Sequence, residues 1–110
     1  MRTGLGWRSF DPVEAVAAVH AIDDRKTLIR IAYEAMHPEA RRMALLKLQD
    51  KNLMVSFALS DASPIVRRRM VRELDDIETV RRIAENDTDS SVRESACARL
   101  EQLKSPDSDE

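Results

Sequence analysis

Histidine and cysteine carry much of the nucleophilic, acid–base and metal chemistry of proteins, and here those residue types are His20, His37 and Cys97. A nucleophile needs a base and an orienting acid beside it, and a zinc site needs several ligands at short spacing. These three residues are far apart in the sequence, and neither arrangement occurs around them. The sequence therefore predicts a protein that is not an enzyme, without catalytic residues, metal or cofactor.

The chain that positions these residues is 110 residues long, which suits one domain with one core. Apolar residues make up 43% and charged residues 35%, which excludes disorder along the whole chain. The net charge of −2 gives no overall attraction to nucleic acid or anionic lipid. No apolar run is long enough to cross a bilayer. We expect no membrane association and a cytoplasmic location.

A repeat of 26 residues organises the chain. Leu48, Leu74 and Leu100 are separated by this interval. Three further columns are identical at the same interval: Asp24, Asp50 and Asp76; Ala32, Ala58 and Ala84; and Arg41, Arg67 and Arg93. Self-similarity at a fixed interval of this length is typical of proteins built from stacked repeats.

Each repeat predicts a helical hairpin. Apolar residues between positions 28 and 35 recur at i, i+3, i+4 and i+7, and a second stripe runs from 40 to 48 after a short break. The prediction is an all-α repeat domain at 11–103, with a half unit at 11–22 and full units at 23–48, 49–74 and 75–100. Residues 1–10 are expected to form an N-terminal arm or cap, and 104–110 a flexible acidic tail.

Position within the repeat also predicts the role of single side chains. His37 lies directly before a second helix, in a column of capping residues, and is expected to cap that helix. Cys97 shares a column with Leu45 and Val71 and is expected to be buried. Two aromatic residues of the arm are expected to cover the open face of the first unit: Trp7 and Phe10.

An aspartate at the predicted hairpin turn is followed six residues later by an arginine in two of the units. The pairs are Asp61 with Arg67 and Asp87 with Arg93, and a valine precedes each arginine. This pattern resembles the HEAT-repeat family of α-solenoid proteins, over residues 23–100 with a half unit before them. The resemblance implies a right-handed α-solenoid of about three and a half HEAT-like hairpins.

The arginine column carries a structural expectation of its own. Arg41 projects near the centre of the buried arc of its helix, and Arg67 and Arg93 share its position. A guanidinium there must be paired. Asp61 and Asp87 are close enough in sequence to accept its hydrogen bonds, either within the unit or from a neighbouring one. We expect these five residues to form a structural ladder along the turn edge.

In HEAT-like stacks the second helices line the concave side, so the resemblance implies that their outward columns form the binding surface. Arginines beside apolar residues there would suit an acidic amphipathic segment. The candidate binding residues are Arg42, Met43, Leu46, Ile65, Arg68, Arg69 and Arg72. The expected function is a non-catalytic protein-interaction or scaffold module whose partner is a protein or an acidic peptide.

Three other interpretations of these residues are open at this point. Charged residues on the outer face of a helix are commonly only solvated. The same arginines would suit nucleic acid, as in HEAT-like glycosylases that remove alkylated purines from DNA. Glu39 and Glu94 interrupt the basic surface, however, which makes nucleic acid the less favoured partner. A solenoid end also exposes an apolar face unless it is capped, so an end-to-end homodimer is a further alternative.

Overall fold

A computed structural model describes residues 5–104, and every regular element within that range is helical. The predicted all-α class is therefore confirmed. A 3-10 helix at Gly6–Arg8 is followed by α1 (Pro12–His20), α2 (Arg25–Glu34), α3 (Pro38–Leu48), α4 (Lys51–Ser60), α5 (Pro64–Glu73), α6 (Ile77–Asn86) and α7 (Ser90–Lys104). Residues 1–4 of the expected arm and 105–110 of the expected tail lie outside the described residues. Within residues 5–104, none of the helices combines the length and apolar character needed to pass through a membrane.

The chain divides into two compact units, the first of which ends at Asp50. In this unit α2 packs against α3 as a helical hairpin, α1 packs against α3, and the 3-10 helix packs against α1. Its completely buried side chains are mostly small or β-branched: Ala15, Val19, Ile31, Ala32, Ala40, Ala44 and Leu45. Small side chains let helix axes approach closely.

The second unit begins at Lys51 and contains two helical hairpins. One hairpin is α4 with α5 and the other is α6 with α7, and the two contact each other through α5 with α7 and α4 with α6. First helices therefore pack on first helices, and second helices on second helices. The largest completely buried side chains of this core are Met54, Val66, Met70, Val71, Leu74, Val80 and Val92.

Side chains just before the helices determine where several of them begin. Asp24 accepts a hydrogen bond from the Thr27 amide at 2.9 Å, and so satisfies a donor that has no partner inside the helix. The Thr27 hydroxyl and then this amide hold the pKa of Asp24 below its ordinary value. Prolines occupy the first turn of α1, α3 and α5, where no amide hydrogen bond is lost.

Cations bind the carbonyl groups at the ends of two second-type helices. The Lys47 ammonium donates to the carbonyl of His20 at 2.8 Å and also to the carbonyl of Ile22, just beyond α1. Two repeats later, the Arg99 guanidinium donates to the carbonyl of Leu74 at 2.8 Å and to a carboxylate oxygen of Asp75 at 2.9 Å. A cation at this position satisfies carbonyls that have no amide partner within the helix.

The 26-residue register continues into the N-terminal segment. Ser9 is 3% exposed, and its hydroxyl accepts a hydrogen bond from the Asp11 amide at 3.0 Å. The carboxylates of Asp61 and Asp87 each accept the same bond from the amide two residues later, at 2.9 Å. Ser9 therefore makes the turn contact that the aspartates make in the later hairpins.

The expectation that His37 caps α3 through its side chain is wrong. His37 occupies the N-cap position but makes no side-chain hydrogen bond to its own helix. Its Nε2 instead lies 3.0 Å from the carbonyl oxygen of Ser9, to which it donates when protonated. The imidazole is long enough to reach a buried segment, and so it ties the N-terminal turn to the α2–α3 hairpin.

Two expectations about buried residues near the ends of the repeat array are also wrong. Cys97 is exposed, although Leu45 and Val71 in the same column are completely buried. Phe10 is 77% exposed and cannot cover an open helical face, whereas Trp7 is half-buried. Cys97 is exposed because, within the described residues, no further hairpin packs against α6 and α7.

Candidate interaction surface

Arg67 binds both a carboxylate and a backbone carbonyl. Its Nε and Nη2 donate to the two carboxylate oxygens of Asp87 at 2.9 and 3.1 Å, and its Nη1 donates to the carbonyl of Asp61 at 2.8 Å. The side chains of Arg67 and Asp87 are 12% and 6% exposed. A two-pronged contact of this kind fixes orientation as well as charge, so it joins the α4–α5 hairpin to the α6–α7 hairpin.

The backbone half of this contact recurs at the other two arginines. The Nη1 of Arg41 donates to the carbonyl of Ala35 at 2.8 Å, and the Nη1 of Arg93 donates to the carbonyl of Asp87 at 2.7 Å. In all three cases the acceptor lies six residues earlier, at the end of the first helix of the same hairpin. Each arginine therefore closes its own hairpin turn, whichever residue type stands at that turn.

Burial and pairing act in opposite directions on Asp87. Its removal from water would raise the pKa of the carboxyl group, but hydrogen bonds from Arg67 and from the Asp89 amide more than offset this and hold the pKa below its ordinary value. The hydrogen bond with Asp87 likewise raises the pKa of the Arg67 guanidinium. Both groups therefore stay charged at neutral pH, and their role is structural rather than acid–base.

In the first unit the outward side of α1 and α3 forms a cleft of about 420 Å³. Its walls are mainly apolar: Pro12, Val13, Val16, Glu39, Arg42 and Met43. Val13 is 76% exposed and shares this cleft with Pro12, Val16 and Met43. Of the three residues predicted from this unit, Arg42 and Met43 line the cleft, and Leu46 lies half-buried on α3 outside it.

In the second unit the outward side of α5 and α7 forms a cleft of about 280 Å³ whose character is different. Three arginines line it together with acidic, polar and small residues, and the full lining is Arg69, Arg72, Glu73, Ser95, Ala98, Arg99 and Gln102. The predicted residues Arg69 and Arg72 are thus brought together. Ile65 and Arg68 lie half-buried on α5 and do not line this cleft.

The arginines of this second cleft differ in how far they are already engaged. Arg69 forms an ion pair with Glu73 at 3.2 Å, and Arg99 is held by the end of α5. Arg72 is exposed and has neither a hydrogen bond nor an ion pair with any residue in the range 5–104. No residue in that range uses the guanidinium donors of Arg72, whereas Arg69 uses its Nε for Glu73.

Sequence reasoning missed Val16 and Arg99 as lining residues. Val16 lies 26 residues before Arg42, so its place on the outward face was readable from the repeat. Arg99 was less visible, because its column contains Lys47 and Glu73 and so has no constant charge.

Comparison with models of known protein families, with curated proteins and with solved structures finds no match for this chain. The site is therefore characterised by its own geometry. Among residues 5–104, no three histidine, cysteine or acidic side chains are grouped so that they could hold a metal ion.

Proposed function

We propose that this protein is a short HEAT-like α-solenoid that works as a non-catalytic protein-interaction module and binds an acidic, partly apolar peptide segment. The solenoid part of the proposal is supported by the 26-residue repeat and by the stacking of like helices in the second unit. The turn contacts at Asp61 and Asp87, and the arginine contacts six residues later, repeat at the same interval.

The observation that carries the binding part is the arginine-lined cleft between α5 and α7. Three arginines line it, and Arg72 has donors that no residue in the described range uses. A carboxylate fits such a group because it can accept two parallel hydrogen bonds from one guanidinium. Arg69 already uses its Nε for Glu73, so an incoming carboxylate would find fewer unused donors on Arg69 than on Arg72.

The apolar cleft of the first unit supports the proposal that the bound peptide is partly apolar. Val13, Val16 and Met43 offer aliphatic surface in a concave site, and Arg42 stands at its border. Burial of such surface by a partner contributes roughly 25 cal/mol for each Å² removed from water. A partner that carries both aliphatic and acidic side chains would therefore gain from each cleft independently.

Selection of peptides from a displayed random library on the full chain tests this proposal. We expect the selected peptides to be rich in Asp and Glu beside Leu, Ile or Phe, and to bind with a Kd that rises with salt concentration. Arg72→Ala should weaken binding of the best peptide by about tenfold, in the range measured for charge-assisted hydrogen bonds. Arg82→Ala, an equally exposed arginine on α6, is the matched control and should leave the Kd unchanged.

A labelled DNA duplex and a labelled single strand, assayed beside the best peptide, separate this function from the nucleic-acid alternative. Peptides without acidic residues, or equal effects of Arg72→Ala and Arg82→Ala, would contradict the proposed cleft. Tight DNA binding that Arg72→Ala weakens would favour the nucleic-acid interpretation instead.

A further inference from the structure

The outer side of the α6–α7 hairpin carries the same residue columns as a surface that is buried one repeat earlier. On the α4–α5 hairpin these columns are closed by α6 and α7, and they are occupied by Ala58, Arg67, Val71 and Leu74. Twenty-six residues later stand Ala84, Arg93, Cys97 and Leu100, a set that we call the α7 face. Cys97 is exposed, and Ala84 and Leu100 are partly exposed. The α7 face therefore has the composition of a helix-packing surface without a neighbour in the described residues.

Arg93 shows which chemical group is missing from this surface. Like Arg67, it donates Nη1 to the carbonyl six residues earlier. Unlike Arg67, it has no carboxylate on its Nε and Nη2, and no residue in the range 5–104 pairs with it otherwise. A carboxylate is the group that would complement the donors of Arg93 that this hydrogen bond leaves unused, as Asp87 does at Arg67.

α7 itself carries such a carboxylate on the same side. Glu101 is exposed and has no hydrogen bond or ion pair with any described residue. Arg93 and Glu101 lie four residues before and four residues after Cys97. In an α-helix four residues advance about 6 Å and turn about 40° beyond a full revolution. Arg93 and Glu101 are therefore displaced from Cys97 by equal and opposite amounts, both along the helix and around it.

This spacing is self-complementary under a two-fold rotation. When two copies of α7 cross antiparallel with Cys97 on the axis, Arg93 of each copy faces Glu101 of the other, and the two Cys97 side chains meet at the centre. Both charge pairs form at once, and Leu100 of each copy is covered. A head-to-tail contact would lack this match, because it would bring one copy's Arg93 to a surface other than α7.

We propose that the α7 face binds a second copy of this chain and forms a two-fold dimer across antiparallel α7 helices. The contact is centred on Cys97 and is flanked by two Arg93–Glu101 ion pairs between the copies. One helical face buries little area, so the dimer should be weak, with a Kd between about 10 µM and 1 mM. This inference is independent of the proposed peptide site, which lies on a different side of α7.

A charge exchange tests the pairing in sedimentation equilibrium on the full chain. In a dimer of the Arg93→Glu variant, both contacts bring a glutamate at position 93 against Glu101 of the other copy. In a dimer of the Glu101→Arg variant, both contacts bring two arginines together. Each substitution should therefore weaken dimerisation by about tenfold or more. An equimolar mixture of the two variants should form heterodimers, because both contacts then join Glu to Arg. Arg82→Glu changes the net charge by the same amount as Arg93→Glu, but Arg82 lies on α6 away from the α7 face. This control should leave dimerisation unchanged.

Oxidative crosslinking tests the position of the axis. Cys97 is the one cysteine of the chain, so any disulfide-linked dimer must join two copies of this residue. We expect the wild-type chain to crosslink faster than a Cys97→Ser/Ala98→Cys variant, whose thiol is also at an exposed position but is turned about 100° around α7. Arg93→Glu should slow crosslinking, and mixing it with Glu101→Arg should restore the rate.

Two outcomes would overturn the proposal. A chain that stays monomeric at 1 mM, as a rough upper limit, has no such contact, whether or not other parts of the same chain cover the α7 face. Dimerisation that responds equally to Arg93→Glu and Arg82→Glu, or a mixture that shows no preference for heterodimers, would place the contact elsewhere.

Discussion

Arg67 and Arg68 are adjacent residues of one type with different surroundings. The Arg67 guanidinium is bound through Nε, Nη1 and Nη2, and its side chain is 12% exposed. Arg68 is half-buried and makes one long contact, 3.3 Å, to the Ser91 hydroxyl. A buried charge that loses its partner keeps its desolvation cost, whereas a solvated charge does not. Because Arg67 and Arg68 are the same type of residue, we expect their different positions in the repeat to set how much each contributes to stability.

Arg67→Ala is expected to lower the free energy of unfolding by about 3 to 5 kcal/mol, because Asp87 would remain buried without its cation. Arg68→Ala, the matched control, should cost less than about 1 kcal/mol. Urea unfolding followed by circular dichroism at neutral pH measures both. Equal losses for the two variants would show that the Arg67–Asp87 contact has no special energetic role.

The same pair gives this comparison a pH dependence. The pKa of Asp87 is lower in the folded chain than in the unfolded one, where it is about 4. Its contribution to stability is therefore complete above that unfolded value and is lost as the pH falls through the lowered folded value. The gap in unfolding free energy between wild type and Arg67→Ala should accordingly narrow below about pH 4.

At the scale of helices, the 26-residue interval explains what the sequence could predict and what it could not. The helical class follows from apolar spacing, and a buried arginine such as Arg67 follows from its place at the centre of an apolar arc. The burial of Cys97 was mispredicted from its position in the repeat. Residues at the same repeat position are equally buried only when each hairpin has a neighbour on both sides. His37 was mispredicted because its real partner, the Ser9 carbonyl, is a backbone group that no residue pattern specifies.

The contacts of Lys47 and Arg99 with helix-end carbonyls could not be predicted from the sequence either. Lys47 lies on α3, but its ammonium group serves carbonyls at the end of α1 that are more than twenty residues away. Only packing brings these groups together. Arg99 makes the matching contact with Leu74 and Asp75 two repeats later, whereas Glu73 occupies this position in the repeat between them.

Lys47→Met tests this contribution and keeps the length of the side chain. We expect the free energy of unfolding to fall by about 1 to 2 kcal/mol, because carbonyls at the end of α1 lose a charged donor in a partly buried site. The Lys47 side chain is only 21% exposed. Lys26→Met, at an exposed position of α2, is the control and should change stability by less than about 0.5 kcal/mol. A loss no larger than that of the control would mean that water replaces the ammonium group without cost.

At the scale of the whole molecule, a stack of equivalent hairpins and a unique helical core differ in how they accept extra sequence. In a stack, stability is close to a sum over hairpins and over the contacts between neighbours. A unique core has no place for an additional hairpin. The contacts between α4–α5 and α6–α7 use positions that recur every 26 residues, and so a copy of residues 49–74 carries both halves of that contact.

Insertion of a second copy of residues 49–74 directly after Leu74 should therefore give a folded chain with proportionally more helix. Arg67 would then meet the copied Asp61, and the copied Arg67 would meet Asp87, so each hairpin boundary keeps its ion pair. We expect a melting temperature equal to or above that of wild type, because the insertion adds one hairpin and one complete contact. A copy shortened to residues 53–74 lacks the residues just before its first helix and the first two residues of that helix, and it shifts the register, so it should lower the melting temperature. If both insertions unfold the protein alike, its helices form a single core, and the solenoid proposal fails.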